Sequence, residues 1–174
     1  MKQTESVITR LTPEDVVLKL GEKCSRDGKC CSFDAGIVLK HEVDGLAKKL
    51  NVTREEMINN FLEEVERFNT KHYKFKTIRE KGKPYGKCIF LNGNDCSIHQ
   101  HKPLHCRVGN CSEHGETLSI WFTLNHFVNP LDPESIRQWA VYLKTHPTIP
   151  GGNLEELVPD KDRLRKILSY EIFR

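Results

Sequence analysis

The stretch Gly86–Ser112, GKCIFLNGNDCSIHQHKPLHCRVGNCS, holds four of the seven cysteines of this chain, and the other three lie together far upstream. In chain order the seven are Cys24, Cys30, Cys31, Cys88, Cys96, Cys106 and Cys111. Cysteines that serve only as small buried hydrophobes would be scattered along the sequence. The two tight groups therefore predict that the thiols converge on a metal ion or an iron–sulfur cluster, and all seven are candidate ligands.

The spacing of the cysteines bears on which metal they hold. It is Cys-x5-Cys-Cys upstream and Cys-x7-Cys-x9-Cys-x4-Cys downstream. Converging thiolates select zinc or iron–sulfur clusters over harder ions. Structural zinc sites usually contain Cys-x2-Cys pairs, which are missing here, whereas ligand spacing varies more among iron–sulfur proteins. A 4Fe–4S cluster is therefore favoured, with zinc as the alternative. Neighbouring Cys30 and Cys31 are expected to point in different directions, so that one binds the cluster and the other packs, binds a second ion or stays free.

The cysteines and the segments around them resemble the zinc- or iron-chelating cysteine-cluster family (YkgJ-type), known by its CxxCxxCC motif. The matching segments, which span roughly residues 24–111, are Cys24, Cys30-Cys31, Cys88-Ile89-Phe90-Leu91, Cys96-Ser97-Ile98-His99 and Lys102-Pro103-x-x-Cys106-Arg107. The resemblance implies metal binding in bacteria or archaea without a settled reaction. A similar pattern occurs in flagellin lysine N-methylases, which is the one enzymatic hint that the resemblance brings.

The sequence departs from that family pattern at three positions. Asp27 stands where the motif has its second cysteine, His99 replaces the usual tyrosine, and Lys102 replaces the usual arginine before proline. Asp27 can offer an oxygen ligand, but one thiolate is lost. A full eight-cysteine site is therefore not available to this chain.

Other polar residues flank the cysteines. Imidazole binds both zinc and iron, so His99, His101 and His105 are either additional ligands or parts of a solvated polar loop. Arg107 either donates hydrogen bonds to a thiolate or a loop carbonyl, which would tune the basicity of a ligand, or lies on the surface. His41 and His126 are interpreted as ordinary helix or core residues.

Charge and hydropathy limit the partners and the compartment. The net charge is +3, the pI is about 8.4 and both signs are mixed along the chain, so the clustered basic face of a nucleic-acid-binding protein is not predicted. No apolar run approaches the ~20 residues needed to span a bilayer, and Met1–Arg10 has no hydrophobic segment of a signal peptide. We therefore expect a cytoplasmic protein that binds neither nucleic acid nor membrane.

That compartment favours metal over disulfides, because cytosolic thiols are usually reduced. An odd number of cysteines also leaves one thiol over in any full disulfide scheme. The alternative is a disulfide-stapled protein from a hyperthermophile, where intracellular disulfides occur.

Hydrophobic periodicity and capping signals predict an α+β fold. We expect one mostly helical domain over residues 1–174, with a metal-site core at about 24–111 and C-terminal helices within 112–174 packed on it. A small antiparallel sheet or hairpin should carry the cysteine-rich site. Expected helices begin at Thr12 (as N-cap), His41, the Thr53 capping box, Lys102, Asp132 and Asp160, and end near Gly21, Leu50, Phe68, Cys106, Leu143 and Ile172.

The remaining segments are less regular. Strands are expected at Tyr73–Ile78 and Cys88–Leu91, followed by a tight turn at Asn92–Asp95. Cys24–Cys31 reads as a loop, and Thr117–Val128 reads as core that is either strand or helix.

Two classes of function are consistent with these features. The first is a small metalloprotein acting in electron transfer, metal handling or as an adaptor, with a protein partner left open. The second is an enzyme, either protein-lysine methylase-like or a redox enzyme, that uses the cluster site. The chain lacks a glycine-rich loop after a strand, which argues against a built-in nucleotide or S-adenosylmethionine domain.

Overall fold

The computed structural model describes residues 7–109 and 111–173 and has an α+β fold, as the sequence predicts. Its helices are α1 Glu14–Gly21, α2 Lys29–Phe33, α3 Val43–Lys49, α4 Arg54–Glu56, α5 Leu104–Val108, α6 Gly115–His126, α7 Pro133–Tyr142, α8 Leu154–Leu157 and α9 Lys161–Leu168. Single turns of 3-10 helix occupy Lys40–Glu42 and His99–His101, and α4 continues as a π-helical turn over Met57–Phe61. Part of the segment considered for a signal peptide, residues 1–6, lies outside the described residues.

The strands form three small antiparallel ladders. They are β1 Ile37–Val38, β2 Leu62–Arg67, β3 Thr70–Phe75, β4 Thr77–Ile78, β5 Lys87–Cys88, β6 Leu91–Asn92 and β7 Asp95–Cys96. The main sheet has the order β1-β3-β2, while β4 pairs with β5 and β6 pairs with β7. The chain thus reverses twice between Thr77 and Cys96, which brings the downstream cysteines close together.

Two clusters of buried side chains support the fold. The larger one joins the N-terminal segment to the C-terminal helices and is centred on Trp121, Phe122 and Trp139, and the smaller one joins the sheet to α3. Strand β1 belongs to both, because Ile37 packs into the larger cluster and Val38 into the smaller. Successive side chains of a strand point to opposite faces, so two residues suffice to hold the clusters together.

Helix α5 is the second connection between these clusters. Leu104 and Val108 lie one turn apart on the same face and are buried in the larger cluster, while Cys106 packs against the smaller one. Pro103 precedes the helix in an extended conformation, and its fixed φ suits a helix start. Gly21 at the end of α1 packs directly on α5, since a Cβ there would lie 2.2 Å from the carbonyl oxygen of Arg107.

The carboxylate of Glu42 holds α5 against β1. One oxygen accepts a hydrogen bond from the backbone N–H of Leu39 at 2.9 Å, and the other accepts one from the N–H of Leu104 at 2.8 Å. The N–H groups of a first helical turn have no partner within the helix, so this acid caps α5 from a distant part of the chain.

The C-terminal segment is held by a buried cation. The guanidinium of Arg137 donates to the carbonyl oxygens of Ile167 (3.0 Å) and Ile172 (2.8 Å) and pairs with Glu134. Within residues 7–109 and 111–173, no helix has both the length and the apolar character required to cross a membrane.

The segment after the Thr53 capping box differs most from the sequence prediction. The capping box is confirmed, but the helix does not continue to Phe68, because Leu62–Arg67 is a strand paired in full register with Thr70–Phe75. The predicted helix from Thr53 to Phe68 is therefore wrong beyond Phe61. Phe68 and Asn69 form the two-residue turn that connects β2 to β3, and both have a positive φ. The usual sequence signals for such a turn are glycine, asparagine and aspartate, and a phenylalanine is not one of them.

Other differences are smaller. The Cys24–Cys31 loop ends in helix α2, the Cys88–Leu91 strand divides into β5 and β6, and the last helix ends at Leu168 rather than Ile172. Helix α8 was not predicted, and Thr117–Val128 lies largely in helix α6. The N-cap of α1 is Pro13 rather than Thr12, because the Thr12 hydroxyl accepts from the N–H of Thr9 instead.

The remaining predicted elements agree with the structure. The apolar periodicity of residues 41–50 forms α3 and the preceding turn, Pro103 opens α5, and the Asn92–Asp95 turn closes the β6–β7 hairpin. Asp132 caps α7 by accepting from the N–H of Glu134 at 3.1 Å.

Replacing Glu42 tests its part in holding α5. Glu42→Ala removes both hydrogen bonds and leaves the buried Leu104 N–H without a partner, so we expect a loss of about 2–3 kcal/mol in the free energy of unfolding, measured in urea. Asp44→Ala is the matched control, since it removes only the exposed pair with Arg54 and should cost less than about 1 kcal/mol. Equal effects of the two substitutions would contradict the role assigned to Glu42.

Candidate metal centre

The two cysteine groups meet in one cavity. Cys30 and Cys31 from the upstream group line it together with Cys88, Cys96 and Cys106 from the downstream group. Its volume is about 100 Å³, several times what one water molecule needs. The convergence predicted from the two groups is therefore present, and all seven cysteines have free thiols.

Helix α2 brings the upstream pair to this cavity. Gly28, its N-cap, has a φ of +72°, a conformation that glycine adopts without steric cost. A Cβ at Gly28 would lie 3.0 Å from the carbonyl oxygen of Asn94, so a glycine also allows α2 to approach the β6–β7 hairpin. The carboxylate of Asp27 accepts from the backbone N–H of Lys29 at 3.1 Å and fixes the start of the helix.

The downstream sulfurs come from three different elements. Cys88 lies on β5 opposite Thr77, and Cys96 lies on β7 opposite Leu91. The Asn92–Asp95 turn separates Cys88 from Cys96 in sequence, which by itself suggests the two arms of one hairpin. The two cysteines belong to separate ladders instead, because the chain turns at residues 89–90, but both side chains still reach the same cavity.

Cys106 completes the set from helix α5, and a glycine makes room for it. A Cβ added to Gly36 would lie 1.9 Å from the Cys106 sulfur. The backbone N–H of Ile37, the next residue, donates to Nδ1 of His105 at 3.1 Å. The residues before β1 and those of α5 are thus in direct contact, and only a residue without a side chain fits at position 36.

Burial keeps two of these thiols neutral. It raises the pKa of Cys88 to about 11, and it raises the pKa of Cys106 further, with a smaller contribution from the neighbouring Cys88. A buried thiol favours its protonated form because the thiolate loses its hydration. Such a sulfur becomes a ligand when a metal cation replaces its proton.

The neighbours Cys30 and Cys31 behave as a pair. Their sulfur atoms lie 3.8 Å apart and both line the cavity, so the expectation that they point in different directions is wrong. A single helical turn allows adjacent side chains to diverge by less than a strand does. The Cys31 thiol donates to Cys30 and lowers the pKa of Cys30 to about 6, with help from the charge of Lys102, whereas the same hydrogen bond raises the pKa of Cys31.

Cys24 and Cys111 lie outside this set of five. Cys24 lines an adjoining cavity that it shares with Cys30, Cys31 and Cys96. Cys111 is exposed and does not line either cavity, and its pKa is raised by burial of the sulfur and by a hydrogen bond to Asp27. Because Asp27 also interacts with the backbone and side chain of Lys29, its carboxylate already has partners in the position of the missing thiolate.

The histidines have different surroundings. His105 is buried beside Phe122, and burial lowers its pKa to about 4. Its Nδ1 accepts a hydrogen bond, so Nε2 carries the proton, and this tautomer has no free lone pair for a metal. His99 lines the adjoining cavity, while His126 packs on Phe122 and Trp121 as expected for a core residue.

The donor set fits zinc or iron, although the sulfurs are not yet in a binding geometry. Among residues 7–109 and 111–173, no three side chains of the His, Cys, Asp or Glu type are placed so that they could hold a metal ion as they stand. Five thiols around one cavity nevertheless provide the soft ligands that these metals select.

Comparison with known proteins agrees with this donor set. A family model named CxxCxxCC and described as a "Putative zinc- or iron-chelating domain" matches residues 23–124, which is more than half of the chain. The chain belongs to the CxxCxxCC family. No curated protein and no solved structure gives a significant match.

Within the CxxCxxCC family match, all seven cysteines are included, as are all residues lining the cysteine cavity. Sequence reasoning missed Gly36 and Lys102 as parts of the site. Lys102 was noted only as a departure from the family pattern, and a single glycine before a short strand carries no signal of a close contact. Gly36 and Cys106 are far apart in sequence, so the spacing of the cysteines could not indicate that the two residues are in contact.

A substitution at Gly36 tests whether the cavity needs that space. Gly36→Ala forces the Cys106 sulfur to move, so we expect a loss of about 1–3 kcal/mol in stability and a lower metal content, measured by elemental analysis. Gly45→Ala is the control, because nothing lies within 4 Å of a Cβ at that helical position, and it should be neutral or stabilising by up to about 1 kcal/mol. A fully metallated Gly36→Ala protein would contradict this view of the cavity.

Thiol reactivity tests the electrostatics of the metal-free, reduced protein. Cys30 is exposed with a pKa of about 6, whereas Cys88 is buried with a pKa of about 11. At pH 7 Cys30 is mainly thiolate, so iodoacetamide should modify it at least about 100-fold faster than Cys88. Its rate should rise from pH 5 and level off above pH 7, while the Cys88 rate still rises at pH 9.

Peptide mapping by mass spectrometry measures both rates, and the protein denatured in urea serves as the control in which the two thiols react alike. Modification of Cys88 ahead of Cys30 in the folded protein would show that the assigned ionisation states are wrong.

Proposed function

We propose that the cysteine cavity of this CxxCxxCC protein holds an iron–sulfur cluster, with a single zinc ion as the alternative, and that the protein acts in the cytoplasm. The observation that carries the proposal is the convergence of five thiols from four separate elements on one cavity. Packing alone does not explain this convergence. Small hydrophobic residues would fill the same volume without burying an ionisable thiol.

Two features favour the cluster over a single zinc ion. A tetrahedral zinc site uses four ligands, and five thiols line the cavity. The cavity of about 100 Å³ also provides more space than one ion occupies. The cytoplasmic location rests on the free state of all seven thiols, since ligands must be reduced and that compartment keeps thiols reduced.

The residues of the chain have distinct parts in this function. Cys30, ionised and exposed at the cavity, is the first thiolate available to an incoming cation. Cys88 and Cys106 are the buried sulfurs that ionise only when a cation is present. Gly36 and Gly28 allow the backbone segments to approach closely enough for all these sulfurs to face one space.

A bound group would cross-link α2, β5, β7 and α5, and an iron–sulfur cluster would in addition transfer single electrons. These properties suit electron transfer, metal handling or an adaptor role, as the sequence analysis proposed. The enzymatic alternative finds no specific support among the described residues.

Cysteine replacement with elemental analysis tests the proposal. We expect protein purified without oxygen to contain iron and sulfide with a broad visible absorption, or zinc with a colourless spectrum. Cys88→Ser, Cys96→Ser and Cys106→Ser should abolish the metal content, because each removes a thiolate that lines the cavity. Cys111→Ser is the matched control, since its exposed sulfur lies outside the cavity, and it should retain most of the metal.

Two results would contradict the proposal. If the wild-type protein contained no metal after anaerobic purification and reconstitution, the proposed function would be wrong. If Cys96→Ser kept its metal and Cys111→Ser lost it, the protein would bind metal but the proposed ligand set would be wrong. Circular dichroism of each variant separates loss of metal from loss of fold.

A further inference from the structure

Besides the cavity that Cys24 shares with Cys96, a second adjoining cavity, which is polar, lies on the side of α1. It is about 230 Å³ in volume and is formed by the end of α1, the loop that follows it, the turn at His99 and helix α5. Cys106 and Lys102 line both this second cavity and the cysteine cavity. The second cavity therefore lies beside the proposed metal site and differs from it in chemistry.

Basic side chains dominate this second cavity. Arg26, Lys102 and Arg107 line it, and Glu22 is the one acid among the lining residues. Within the described parts of the chain, neither Arg26 nor Lys102 has a carboxylate within 4 Å or makes a hydrogen bond through its side chain. Asp27 and Asp95 line the neighbouring cavity together with the same two cations, but neither carboxylate lies within 4 Å of either cation.

Arg26 is exposed and Lys102 is partly buried, and each has a defined backbone conformation. Arg26 has a φ of +56°, in the left-handed region that a non-glycine residue adopts only when its surroundings impose it. Lys102 precedes Pro103 and is extended, with a ψ of 136°, which is the conformation that a following proline requires. Burial lowers the pKa of His99, and the charges of Lys102 and Arg26 lower it further, so both cations lie near this imidazole.

Two cations that line one cavity without carboxylate partners can bind a negatively charged group. A guanidinium offers paired N–H donors that match the oxygens of a carboxylate or phosphate, and an ammonium adds a localised charge. The cavity is smaller than the 300–1,000 Å³ or so of sites for drug-sized molecules, which favours a small ion over a large ligand. We propose that a small multivalent oxyanion, of carboxylate or phosphate type, binds between Arg26 and Lys102.

This proposal goes beyond metal chelation, because it concerns an anion and does not require a bound metal. An anion in this position lies beside Cys106 and next to the cysteine cavity. The site would thus accept the anionic group of a molecule that approaches the proposed metal site from this side.

Calorimetric titration of the metal-free, reduced protein at low ionic strength tests the proposal. Inorganic phosphate and malonate are the two probes, and the stronger one identifies the phosphate or carboxylate source. We expect saturable binding of one anion per chain. Arg26→Gln and Lys102→Gln should each weaken it about tenfold or more, the effect of losing one charge-assisted hydrogen bond, whereas Lys102→Arg keeps the charge and should keep the binding.

Arg79→Gln and Lys81→Gln are the matched controls, since both side chains are exposed and line neither cavity, and they should change the affinity less than about twofold. Amide chemical shifts provide a second measurement, in which residues 18–26 and 99–107 should respond to the anion. The proposal would be overturned if neither phosphate nor malonate showed saturable binding. It would also be overturned if the site variants and the control variants changed the affinity equally. Because no metal is present, neither result depends on the outcome of the metal analysis.

Discussion

The cost of ionising a buried thiol is the constraint on which the candidate site depends. Cys88 and Cys106 are surrounded by apolar side chains, where a thiolate without a cation is unfavourable. Without metal, the protein resolves this by keeping both sulfurs protonated. The two hydrophobic clusters give the fold an apolar core besides the cysteine cavity, whereas small zinc domains that are unfolded without their ion depend on the metal for folding.

The site lies at the junction of those two clusters, and this position explains which residues form it. Strand β1 and helix α5 each contribute to both clusters, and the cavity opens beside their contact. Glu42 and His105 both bond backbone N–H groups across this contact. Movement of α5 would therefore change the position of Cys106 relative to the other sulfurs and at the same time disturb both cores. The fold couples its own packing to the geometry of the thiols.

Much of this arrangement could be predicted from sequence, where local signals were unambiguous. The two cysteine groups, the Thr53 capping box, the Asp132 cap and Pro103 before α5 each follow from a local chemical preference and appear in the structure. The segment Leu62–Arg67 was assigned to a helix in error, because its apolar residues fit a helical period as well as a strand. Pairing with Thr70–Phe75 decides between the two, and pairing is a long-range property.

Within the site, too, local features could be predicted from sequence and long-range contacts could not. Spacing indicated that thiols would meet but could not give the contact between Gly36 and Cys106, which are 70 positions apart in sequence. Nor could it show that the Cys30 and Cys31 sulfurs lie 3.8 Å apart at the cavity. The hydrogen bond between them favours the thiolate of Cys30 and the neutral thiol of Cys31, while burial favours the neutral forms of Cys88 and Cys106. A cation that reached the cavity would therefore find one sulfur already ionised, and the buried thiols would lose their protons only as they became its ligands.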